Sequence, residues 1–67
     1  MRYSIVIQYD EIDNIYVASV PELQGCMAHG RTQEDALREI SAVVEMWLEE
    51  ARDLGRQIPS PLLFTRA

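Results

Sequence analysis

A chain of 67 residues supports one domain at most, and a domain of that size removes only about 60% of its unfolded surface from water. One cysteine excludes an internal disulfide and there is no Cys/His spacing suited to zinc, so oligomerisation is the support left to so small a core. The formal net charge is -5, and all six basic residues are arginines scattered along the chain, which argues against direct nucleic-acid binding, since that draws its affinity from clustered positive charge.

Residues 2–10, RYSIVIQYD, alternate with a period of two and predict a first strand, with Tyr3, Ile5, Ile7 and Tyr9 on one side. Residues 10–14, DEIDN, read as a polar turn in which Asn14 tolerates positive φ, and IYVASV over 15–20 predicts the second arm of a hairpin. Pro21 cannot donate a ladder hydrogen bond, so that strand stops there and a loop runs to Gly25. Residues 26–29 are long enough for a short third strand, closed by Gly30.

Thr32 is a helix N-cap followed by Gln33, Glu34 and Asp35, whose carboxylates suit the positive end of the helix dipole. Apolar residues then recur with a 3.6-residue period at Ala36, Leu37, Ile40, Val43, Val44, Trp47, Leu48, Ala51 and Leu54, until Gly55 supplies the stop. The prolines in RQIPSP forbid helix, and LLF at 62–64 predicts a fourth strand. The resulting order is β-β-β-α-β, an α+β domain with one long helix on a small, mainly antiparallel sheet. Roughly 20 helical residues reach about 30 Å, whereas strands reach about 17–20 Å, so the helix overhangs the sheet and its far apolar residues need cover from the 58–64 tail or from a second chain. Met46, Trp47, Leu54, Leu62 and Phe64 are therefore the candidate self-association residues of a dimer or tetramer.

The residue types that carry chemistry are poorly placed for it. Cys26 and His29 are three apart, which on a strand sends them to opposite faces, a poor geometry for a nucleophile and its base. Asp10, Glu11 and Asp13 lie in one turn that lacks the long loop of a calcium site, and hairpin tips collect Asp for conformational reasons. Gly25 and Gly30 make no phosphate loop, and no serine sits in a nucleophile-elbow context. No enzyme, cofactor or metal is expected. There is no signal-peptide h-region and no apolar run able to span a bilayer, which predicts a cytoplasmic protein with no membrane contact.

A Tyr-containing first strand, then YVASVPELQGC, a glycine before a threonine-capped T-x-E-D-A-L helix start, and G-x-x-I-P-x-P after the helix together resemble the HicB-like antitoxin family over residues 3–61. The resemblance implies a truncated ribonuclease H-like fold, self-association, and binding to a small basic RNA-cleaving HicA-type toxin whose active site is masked. Full members carry a C-terminal DNA-binding module for which residues 1–67, read as one domain, leave no room. The ribonuclease likeness implies no nuclease activity, because Ser4, Ile5, Val6 and Ile7 offer no metal-binding carboxylate in the first strand.

The function expected is that of a HicB-like antitoxin or a solitary relative. Contacts would come from the acidic helix residues Glu39, Glu45, Glu49 and Glu50, or from an exposed sheet edge by strand addition. The alternative is an oligomeric small-ligand or regulatory module with a pocket near Trp47 and the tail; a metal-dependent hydrolase built on Asp10, Glu11, Asp13 and His29 ranks last.

Overall fold

The structure, a computed structural model, describes residues 1–66; Ala67 lies outside the described residues. Three antiparallel strands, β1 (Val6–Asp10), β2 (Ile15–Ser19) and β3 (Met27–Gly30), form a sheet in the order β1-β2-β3, and one helix, α1 (Gln33–Asp53), covers one of its faces. The α+β architecture is the one expected from the sequence, without the fourth strand.

Between Asp10 and Ile15 the hairpin turns through residues 11–14, with Asn14 at φ 54°, where a short polar side chain is tolerated. The Asp10 carboxylate accepts from the backbone N–H of Ile12 at 2.9 Å, and Tyr9 and Tyr16 pair edge-to-face across the ladder with centroids 5.2 Å apart. Ile7, Ala18 and Ala28 stand in one cross-strand row on the helix side, while Val6, Ser19 and Met27 form a row on the open side.

The loop after Pro21 does more than connect. Leu23 N–H donates to Val20 O and Cys26 N–H to Leu23 O, two consecutive turns, the second with Gly25 at the positive φ of 77° that a type II turn requires at its third position. These turns fold Leu23 inward, where it is only 1% exposed and packs with Ala18, Val20, Cys26, Ala36, Ile40 and Val44 as the core. A loop residue thus becomes one of the largest fully buried side chains.

Helix α1 begins where the sequence signals it. Thr32 Oγ1 accepts from Asp35 N–H at 3.0 Å, and at the other end Gly55, at φ 68°, and Arg56 donate to the carbonyls of Arg52 and Ala51, completing a Schellman cap. A Cβ on Gly30 would stand 2.5 Å from Ala36 N, so glycine there lets the first helical turn press against β3. Ala36, Ile40, Val44 and Ala51 face inward, and Val43, Trp47 and Leu48 are half-buried beside the core.

Two boundaries differ from the sequence reading for one shared reason. Residues 62–64 form no strand, because Pro59 and Pro61 lack N–H groups and the Leu62 N–H is spent on the Glu22 side chain at 2.9 Å instead of on a ladder. The first strand begins at Val6 instead of Arg2, because Ser4 N–H likewise donates to Glu22, at 2.9 Å to one oxygen and 3.2 Å to the other.

Candidate partner-binding surfaces

The exposed side of α1 carries Glu39, Glu45, Glu49 and Glu50, all solvent-accessible. At 100° per residue they do not share one face. Glu45 and Glu49 point away from the sheet, whereas Glu39 and Glu50 fall within roughly 20° of each other on a flank. Glu39 borders a groove with β3, alongside Met27, His29, Arg31, Asp35 and Val43, and Glu50 borders a small hollow with Trp47, Ala51, Leu54 and Arg56.

Charge pairing on this helix is sparse. Among the described residues one salt bridge forms, Arg38 to Asp35 at 3.3 Å, with both groups exposed. Among the described residues none of the four glutamates has an ion-pair partner, and Glu45 with Glu49 set like charges four residues apart, a spacing that destabilises a helix by a few tenths of a kcal/mol. A cationic surface laid on this side would relieve that repulsion.

The apolar candidates divide. Met46, Leu54, Leu62 and Phe64 are exposed, while Trp47 is half-buried against the core, its Nε1–H donating to the Gln24 carbonyl at 3.1 Å. Trp47 thereby ties the helix to the β2–β3 loop of its own chain.

Of the residues weighed for chemistry, Cys26 is buried in the core, which pushes its thiol above the ordinary value, and His29 is exposed on β3. Asp10 serves the hairpin turn, and no cluster of metal-ligating side chains occurs among the described residues.

One organising residue escaped the sequence reading. The half-buried Glu22 carboxylate accepts from Ser4 N–H, Ser4 Oγ–H at 3.1 Å and Leu62 N–H, and nearby the Tyr3 hydroxyl donates to the Pro59 carbonyl at 2.7 Å. Burial alone would raise its pKa, but the hydrogen bonds, led by that from Leu62 and followed by those from Ser4, outweigh it and hold the carboxyl below its ordinary value. A single glutamate after a proline carries no pattern that would single it out.

With this geometry in place, comparison with known proteins supplies a context. The family described as HicB-like antitoxin of bacterial toxin-antitoxin system matches residues 3–66. A UPF0150 protein of Synechocystis is 42% identical over 60 residues, covering 90% of this chain and 81% of its own. A UPF0150 protein of Thermoplasma acidophilum is 36% identical over 59 residues, covering 88% and 84%, and one of Helicobacter pylori is 44% identical over 48 residues, covering 72% and 64%. No solved structure matches.

Proposed function

The chain belongs to the HicB-like antitoxin family, and from that premise we propose that it binds and masks a small, basic, RNA-cleaving toxin of the HicA type. The observation that carries the reading is the exposed carboxylate set of α1, Glu39, Glu45, Glu49 and Glu50, without counter-ions among the described residues on a chain of net charge -5. An RNA-cleaving protein must present cations to phosphate, and the same cations are the ones an acidic helix attracts. The antitoxin then acts without catalysis: it occupies the surface the RNA requires, and complementary charge speeds the encounter.

No described helix is long and apolar enough to cross a membrane. That agrees with an antitoxin working in the cytoplasm, where its toxin would meet RNA. The exposed Met46, Leu54, Leu62 and Phe64 support self-association of the antitoxin, a step separate from toxin binding.

The test is RNA cleavage by a purified HicA-type toxin from the same genome. Adding this protein in stoichiometric amount should suppress cleavage, and suppression should weaken as salt rises. Cleavage that continues undiminished in molar excess of the protein, at low salt, would overturn the reading.

A further inference from the structure

Both outer strands of the sheet, β1 and β3, leave an edge unpaired among the described residues, and the edge of β3 is the one complemented by another part of the chain. Val20 N–H donates to Cys26 O at 3.1 Å, and in an antiparallel ladder hydrogen-bonded pairs alternate, so Ala18–Ala28 and Tyr16–Gly30 are the next bonded pairs in the register. The N–H and C=O groups of Met27 and His29 therefore point away from β2, to a side where no described strand lies. Beside that edge runs the groove bounded by Asp35, Glu39 and Val43 of α1, with Arg31 also in its lining; Asp35 is paired with Arg38, so Glu39 is the carboxylate there without an ion pair among the described residues.

The complementing part is the segment beyond Leu62. Glu22 fixes Leu62 by its N–H, and from Leu63 to Arg66 no backbone group has a partner among the described residues. Leu62, Leu63 and Phe64 are 66%, 70% and 86% exposed, three consecutive large apolar side chains held in water. Residues 54–66 also contain two arginines and no acidic residue, whereas all eleven acidic residues lie in 10–53. The chain is an acidic body with a basic, apolar tail, so the charge complement of the body is its own tail on another copy.

We propose that residues 63–66 of one copy add as a strand to the free edge of β3 in a second copy. The tail's backbone bonds to the groups of Met27 and His29; Phe64 and Arg66 share the helix-side face of the added strand, where Phe64 covers Val43 and Arg66 enters beside Glu39, which has no ion pair among the described residues, while Leu63 lies on the opposite face. Four residues of strand span about 13 Å, which matches the four residues of β3. Reciprocal exchange closes a two-fold dimer in which each chain gives a tail and receives one. The role of Glu22 is then to aim the tail outward by holding it at Leu62.

The test uses amide hydrogen exchange and light scattering on the full chain across about a hundredfold range of concentration, over which mass action shifts a dimerisation equilibrium. The amides of Met27, His29 and residues 63–66 should gain protection together, in step with a doubling of mass. A chain that stays monomeric, or a dimer in which the Met27 and His29 amides remain unprotected, would overturn the proposal. So would protection independent of concentration, which would mean that the tail folds back on its own body. Phe64 is exposed in the single chain, so Phe64→Asp leaves the monomer fold intact and should weaken the dimer at least about tenfold, as expected for burying an unpaired charge; unchanged association would again refute it. Toxin masking is independent of this contact: a monomeric protein that still suppresses RNA cleavage would remove the tail exchange alone.

Discussion

The two ends of α1 are held by different kinds of information. At the N-terminal end everything is local: Gly30, Thr32 and Asp35 lie within six residues, and the close approach and the cap they make are readable from residue type and spacing. At the C-terminal end the Schellman cap is equally local, but the chain beyond it is placed by Tyr3 and Glu22, partners 56 and 40 residues away in sequence. Local signals fix where an element starts and stops, whereas a tail without secondary structure goes where a distant acceptor takes it.

Substitutions can break this contrast. The largest effect is expected at Leu23, which sits in the loop but fills the core: Leu23→Ala should cost about 2–5 kcal/mol in chemical denaturation, whereas a solvent-facing loop position would move stability by less than about 0.5 kcal/mol. Next comes Gly30→Ala, whose new methyl meets the helix backbone and should cost about 1–3 kcal/mol, read from the same curves. Removing the cap with Thr32→Ala should cost about 1 kcal/mol. Little change at Gly30 would mean that the helix start can shift, and the contrast between a fixed and a borrowed end would fail.

Much of the architecture was legible in the sequence because it rests on periods and punctuation. The 3.6-residue stripe, Thr32, Gly55 and the turn residues Asn14 and Gly25 each do locally what their chemistry suggests. The fourth strand was misread because LLF has the composition of a strand, yet a strand needs a neighbour, and Glu22 takes the one N–H that would start pairing. The acidic helix residues were legible as a set but not as a geometry, since their separation into an outward pair and a flank pair depends on how α1 is rolled against the sheet. Leu23 was hidden by the loop around it; two turns in succession were needed to point it inward.

The smallest effect is expected at Glu22, and it is the one that sharpens the contrast. Its folded pKa lies below the ordinary 4.5, so its contribution to stability is present above that value and is lost as pH falls through the folded pKa. Glu22→Gln should therefore be slightly less stable than the parent protein at neutral pH, with the difference fading on acidification below about pH 4.5. The loosened tail should also be cut faster by trypsin after Arg56, while the helix signal in circular dichroism stays unchanged. Equal cleavage rates would show that the tail is held by something other than this carboxylate.

The central claim is that the acidic side of α1 is the surface that meets a basic toxin. The most direct measurement is the dissociation constant of a purified HicA-type toxin from the same genome for this protein and for the variant carrying Glu39→Gln, Glu45→Gln, Glu49→Gln and Glu50→Gln, by titration calorimetry at low and at physiological salt. The account predicts binding to the parent chain that is at least about tenfold weaker in the variant, a loss of about 1.4 kcal/mol, with most of the difference removed by salt. Equal affinity for the two proteins, or no binding to either, would contradict it.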